Sequence, residues 1–192
     1  MTVAALLLAA GQSRRFGAQD KLLAKLDGVS LVAHAARALS GAGPDLRLAV
    51  VSSAPVADVL RQEGFATLML PSGPQSASIR AGIAELQHQG ASRVVIALGD
   101  MALLLASDIR ALLALPPDQP ASAWLKDAPC PPAVFPARWF PRLMALTGDR
   151  GAAALLRGAD AASRLMIPAP RLRDVDTPEA LAELQRGAGA GA

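Results

Sequence analysis

Two short segments of the chain concentrate residues able to handle phosphate. The first is Ala9-Ala10-Gly11-Gln12-Ser13-Arg14-Arg15-Phe16-Gly17, followed by Lys21. Backbone N–H groups of a glycine loop can converge on phosphate oxygens, and glycine permits close approach of a ligand. Arg15 and Lys21 can neutralise a triphosphate. The second segment is Gly99-Asp100-Met101, which offers a carboxylate to a Mg²⁺ ion bridging phosphates. Each has a plainer reading on its own: a turn with solvated charge, and an Asp that forms a turn or caps a helix. Neither G-x-x-x-x-G-K-S/T nor G-x-G-x-x-G occurs in the glycine loop. That counts against P-loop ATPases and dinucleotide-binding dehydrogenases.

These segments need a frame that brings them together. Residues 3–9 form a continuous apolar run ending near Gly11, which reads as a central parallel strand buried on both faces. Further strands are predicted over 46–52, 65–70, 93–98 and 164–167. Helices are predicted from Ser30 as cap to about Leu39, from Pro55 to near Gly64, over 76–89, and over 178–185. Residues 141–158 read as helical with a break at Gly148. The Pro-rich stretch 116–141 reads as irregular with short strands. Strand and helix alternate at short spacing, so the expected fold is α/β, a Rossmann-like three-layer arrangement with a mostly parallel central sheet. Residues 1–186 are expected to form one domain and 187–192, a Gly/Ala run, a flexible tail. In such sheets ligands bind beyond the carboxyl ends of the strands, where both segments lie.

Composition narrows the function classes. The chain has 192 residues, enough for one domain with a proper core. Aromatic residues make up 3%, with no Tyr, so the core must be aliphatic. A formal net charge of +3 is too mild to argue for nucleic-acid binding. No stretch approaches the ~20 apolar residues of a membrane span, and the opening apolar run lacks the basic flank of a signal peptide. The single cysteine, Cys130, fits a reducing compartment, so a cytoplasmic location is expected. One Cys and two His give no zinc-type cluster, and neither His34 nor His88 is assigned a role.

Five motifs in order along the chain carry a family resemblance. They are Leu8 to Gly17 with Lys21; Ser76-Ala77-Ser78-Ile79-Arg80-Ala81-Gly82; Gly99-Asp100-Met101; Leu146-Thr147-Gly148-Asp149-Arg150-Gly151-Ala152; and Asp174-Val175-Asp176-Thr177-Pro178-Glu179. Together they resemble the molybdenum-cofactor nucleotidyltransferases, members of the larger NTP-transferase group. The chain departs from the family pattern in three places. Ala18, Gln19 and Asp20 separate Gly17 from Lys21, where two residues are usual. Ala102 stands where Pro usually follows Gly-Asp-Met. The acceptor-side segment reads Pro129-Cys130-Pro131-Pro132-Ala133-Val134-Phe135.

The resemblance implies attack of an acceptor phosphate on the α-phosphorus of an NTP with release of pyrophosphate. It implies Lys21 at the α-phosphate, Arg15 at the leaving pyrophosphate, and Mg²⁺ held by Asp100 and Asp176. Ala9, Ala10, Gly11, Gln12, Ser13, Ser76, Ser78 and Arg80 would contact the nucleotide. The helix motif from Ser76 to Gly82 resembles that of cytidylyltransferases, implying CTP as donor and molybdopterin as acceptor, with GTP as the alternative donor. A molybdoenzyme or its chaperone would then be a partner. Several residues keep a second reading. Ser76 can be a helix N-cap, Arg80 a helix-surface cation, and Asp149 a turn residue. Asp176 can cap the helix at Pro178, with Asp174 an equal candidate for capping or ligation. A non-catalytic protein that binds and delivers cofactor stays open as the reading from a different class.

Overall fold

The computed structural model describes residues 1–11, 16 and 20–189, with side chains described up to residue 186. In chain order, strand β1 (Val3–Ala9) leads to a 3₁₀ turn (Lys21–Leu23) and a small ribbon of β2 (Lys25–Leu26) and β3 (Val29–Ser30). Helix α1 (Leu31–Ser40), β4 (Leu46–Val51), α2 (Ala54–Gln62), β5 (Ala66–Met69) and α3 (Gln75–His88) follow. Then come β6 (Arg93–Leu98), α4 (Ala106–Leu113), β7 (Ala121–Leu125), β8 (Ala128–Pro136), α5 (Phe140–Met144), β9 (Arg164–Met166) and α6 (Pro178–Gly189).

Seven strands make the main sheet, in the order β5-β4-β1-β6-β8-β7-β9. β1 pairs in parallel with β4 on one side and β6 on the other, while β8 runs antiparallel to both β6 and β7. The chain builds outward from β1 through β4 to β5, then returns across the sheet to place β6 on the other flank of β1. Connections on the two sides therefore diverge at the carboxyl ends of β1 and β6, the switch point at which doubly wound sheets open a crevice.

Both faces of β1 are buried, which is why it reads as unbroken apolar sequence. Ala5, Leu7 and Ala9 join the layer with α1, α2 and α4, whereas Ala4, Leu6, Leu8 and Ala10 join the layer with α3 and α5. Gly82 of α3 lets that helix sit directly on β1: a Cβ there would collide with the side chain of Leu6. At the opposite end of the sheet, buried Arg93 donates to the carbonyls of Leu113 (2.7 Å) and Leu115 (3.1 Å), closing the carboxyl end of α4.

Several sequence expectations shift. The short strands expected in the Pro-rich stretch are there, and they are more ordered than expected: they form the β7–β8 hairpin in the main sheet. Its register jumps from Ser122↔Ala133 to Ala123↔Cys130, so Pro131 and Pro132 oppose no residue of β7. The pairing of β8 with β6 covers Ala133 to Pro136. Pro131 and Pro132, which have no N–H to give, are thus left out of both ladders. Ser30 does precede α1, but its side chain makes no capping bond. Ser76 is not an N-cap, because α3 starts one residue earlier behind Pro74. The last helix runs on to Gly189, past residue 185 and into the Gly/Ala run. Among the described residues, no helix is long and apolar enough to cross a membrane.

Candidate functional site

A cleft of ≈ 560 Å³ opens at the switch point, lined by Leu8 to Gly11, Lys21, Leu22, Gly73 to Gln75, Ser78, Leu98 to Asp100, and Asp149. Its floor is the paired ends of β1 and β6, where the N–H of Gly99 donates to the carbonyl of Leu8 at 3.0 Å. Small residues keep it open. A Cβ on Gly99 would come within 3.3 Å of Ala9, Leu22 and Val32, so glycine here lets the Lys21 turn pack down over the strand ends. One wall is the loop before α3, tied to the floor by Ser72 Oγ donating to the Ala10 carbonyl at 3.2 Å.

Lys21 is the centre of charge. Its Nζ donates to Asp100 Oδ2 at 2.6 Å and to Asp176 Oδ1 at 2.9 Å. Burial works against the Lys21 charge. The charge and hydrogen bond of Asp100, then those of Asp176, outweigh it and hold the ammonium above its ordinary 10.5. Three distant parts of the sequence meet here for separate reasons. Asp100 follows directly from β6. Lys21 opens a 3₁₀ turn anchored by buried Leu22. Asp176 is delivered by its neighbour Val175, which is buried with Leu26, Leu31 and Ala102 and donates its N–H to the Asp100 carbonyl at 3.4 Å. An inward Val leaves the aspartates on either side of it facing outward beside Asp100.

Asp174, on the other side of Val175, is drawn into the same field. Loss of hydration, then the charges of Asp100 and Asp176, push its carboxyl up to about 6, with Lys21 opposing. The residue keeps open surface, so the two neighbouring carboxylates are the firmer cause. The capping alternative for Asp176 falls away: Thr177 Oγ1 accepts from the N–H of Ala180 at 3.2 Å and caps α6.

The donor set fits a hard divalent cation. Asp100 Oδ1 is buried and, among the described residues, has no hydrogen-bond partner, leaving an acceptor oxygen beside the cleft. Asp100 and Asp176 are held close enough to share one ammonium, hence close enough to share one ion after small side-chain movements. Among the described residues, no three His, Cys, Asp or Glu groups form a ready-made cage. Magnesium usually takes one or two carboxylates and completes its shell with water and phosphate.

The other expected site residues are placed as follows. Ala9, Ala10, Gly11 and Ser78 line the cleft with Lys21 and Asp100. Ser76 is buried in the first turn of α3, its N–H donating to the Gly148 carbonyl at 3.3 Å, and Arg80 is exposed further along the helix; neither is among the lining residues. Gln12, Ser13 and Arg15 lie outside the described residues. His34 Nε2 lies 2.9 Å from the Leu26 carbonyl, a structural contact. Gln75 and Asp149 line the cleft without having been singled out as site residues. Asp149 reaches it because Gly148, at φ 60°, turns the loop and its carbonyl holds the start of α3. The available signal was the Gly-Asp-x-Gly pattern, whose turn chemistry is local but whose packing against α3 is not.

Residues 5–165 match the family model described as the MobA-like NTP transferase domain. The Bacillus subtilis purine catabolism protein PucB is 33% identical over 108 residues, which is 55% of this chain and 53% of PucB; the match spans about half the length of that relative. Among solved structures, the Mycobacterium tuberculosis protein Rv0371c is similar with a TM-score of 0.80 at 23% identity, covering 97% of this chain and 99% of that one. A nucleotidyl transferase from Methanothermobacter gives a TM-score of 0.81 at 19% identity, covering 100% and 99%. At such identities the structural likeness speaks for the fold. The sequence match, covering most of the length and taking in the glycine loop and Asp100, speaks for the family: the chain belongs to the MobA-like NTP transferases.

Proposed function

We propose that this protein transfers a nucleoside monophosphate, from CTP in preference to GTP, to the terminal phosphate of molybdopterin, giving the cytosine dinucleotide form and pyrophosphate. The carrying observation is the Lys21 ammonium gripped by Asp100 and Asp176 at the switch-point cleft. This reading is supported by a cation and two carboxylates beside the cleft that Ala9 and Ala10 line, where the phosphates of a bound nucleotide would lie. In the reaction an acceptor phosphate oxygen bonds to the α-phosphorus. The bond from that phosphorus to the bridging oxygen breaks, and its electron pair leaves with pyrophosphate.

Two anions must approach each other, so alignment and charge neutralisation are the protein's tasks. Gly11 would present its N–H to the β- and γ-phosphates, and Arg15 would stabilise the departing pyrophosphate. Lys21 would leave the carboxylates for the α-phosphate, where charge grows as the bond forms. Ser78 would contact ribose or base. Asp100 and Asp176 would hold Mg²⁺, which when bound neutralises phosphate charge. CTP rests on the Ser76–Gly82 motif, and molybdopterin on the family resemblance; a molybdoenzyme or its chaperone would receive the product.

The test is pyrophosphate release from purified protein with Mg²⁺, a molybdopterin source and each of CTP, GTP, ATP and UTP. CTP should exceed GTP by at least about tenfold in kcat/KM, or ~1.4 kcal/mol. Preference for GTP reverses the donor assignment. No release with any NTP, alongside measurable nucleotide or pterin binding, replaces the enzyme by a delivery protein.

A further inference from the structure

We propose that Asp20 is a positioning residue for Lys21, a clamp that fixes where the catalytic ammonium can reach. Both oxygens of Asp20 are engaged, and on different elements. Oδ1 accepts from the N–H of Leu22 at 3.1 Å, inside the 3₁₀ turn that carries Lys21. Oδ2 accepts from Ser53 Oγ at 3.0 Å. Ser53 lies just beyond the end of β4, and its Oγ accepts from the N–H of Val56 at 3.4 Å, capping α2. One carboxylate thus ties the Lys21 turn to the frame of the sheet, on the side away from Asp100.

The clamp answers a geometric need. Lys21 must reach Asp100, 79 positions away, and Asp176, 155 positions away, from the far end of a glycine loop. Holding a long side chain in one position over such spans costs conformational entropy, which contacts on the turn itself must offset. Leu22 supplies part of the restraint through burial. Beyond Lys21, Leu23 packs on the same cluster and the Leu31 N–H donates to the Ala24 carbonyl at 2.9 Å, which hold the exit of the turn. The two Asp20 contacts hold its entry, on the Lys21 side. A directed charge displaced by about 1 Å can cost on the order of 100-fold in rate.

The consequence for rate rests on the proposed function, so the test has one arm that needs turnover and one that does not. In the first, Asp20→Ala should lower kcat by roughly 10- to 100-fold while nucleotide KM changes less than about threefold, the signature of an interaction made in the transition state. In a Lys21→Ala background the same substitution should cost less than about twofold more, because there is no ammonium left to misplace. Asp20→Asn, which keeps an acceptor for Leu22 and can donate to Ser53 Oγ, should recover most of the rate. Losses that multiply fully in the double variant would mean that Asp20 acts independently of Lys21 and would overturn the proposal. In the second arm, a crystal structure of Asp20→Ala should show Lys21 Nζ out of hydrogen-bond range of Asp100 or Asp176. Retention of both contacts overturns the clamp whatever the enzyme turns over. A wild-type protein without transferase activity would overturn the assigned reaction, and the structural arm would still decide on the clamp.

Discussion

Lys21 and Asp100 meet at 2.6 Å across 79 positions of sequence, beyond the carboxyl ends of the two central strands. The same ammonium reaches Asp176, so one cation neutralises two carboxylates that would otherwise repel each other. An incoming metal ion would compete with Lys21 for those oxygens. An incoming phosphate would compete with the oxygens for Lys21.

Removing that ammonium should therefore have two effects. Lys21→Ala should lower turnover by on the order of 10²–10³ while leaving the fold intact. It should also make the nucleotide-free protein bind Mn²⁺ several-fold more tightly, read by titration of the metal's magnetic resonance signal. Normal turnover in this variant would show that a different cation of the glycine loop does the work.

The shared-ion reading of Asp100 and Asp176 makes a kinetic prediction. Asp100→Asn and Asp176→Asn should each raise the Mg²⁺ concentration needed for half-maximal rate. The double variant should lose less than the sum of the two effects, since the carboxylates act on one ion. Strictly additive effects from metal titrations would separate the two residues into independent roles.

Gly82 tests the packing beneath the cleft. Gly82→Ala gains about 1 kcal/mol in helix propensity, but its new Cβ must displace the fully buried Leu6 side chain. Overpacking of this kind costs about 1–3 kcal/mol. The net expectation is a Tm below that of the parent, measured by calorimetry. A raised Tm would mean that Leu6 swings aside without strain.

Asp174 predicts a pH dependence. Its carboxyl is raised from 3.8 to about 6, so the folded state holds the proton more tightly than the unfolded chain does. Ionised Asp174 thus burdens the fold fully above about pH 6. That burden declines as pH falls between 6 and 3.8 and vanishes below. Asp174→Asn should accordingly stabilise the protein most above pH 6, with the advantage fading toward pH 4. Equal denaturation midpoints for variant and parent at pH 8 would contradict this.

The sequence by itself determined the strand–helix alternation and the central parallel strands. β1, β4 and β6 are buried on both faces, and such burial leaves unbroken aliphatic runs that can be read locally. It also pointed to Gly11, Lys21 and Asp100 as residues of one ligand cleft, because ligands of open α/β sheets sit beyond strand ends, and all three line the cleft at the ends of β1 and β6. Other features came only from tertiary structure. The Pro-rich segment became a hairpin because a register jump leaves Pro131 and Pro132 out of the ladders, and register is set by the partner strand rather than by the prolines themselves. Ser76 is buried against the Gly148 loop instead of capping α3. The grip of Asp100 and Asp176 on Lys21, with Asp20 behind it, depends on crossovers that return distant segments to one switch point. Local periodicity records whether a residue is buried; which charge it will meet there is decided by how the crossovers bring the chain back.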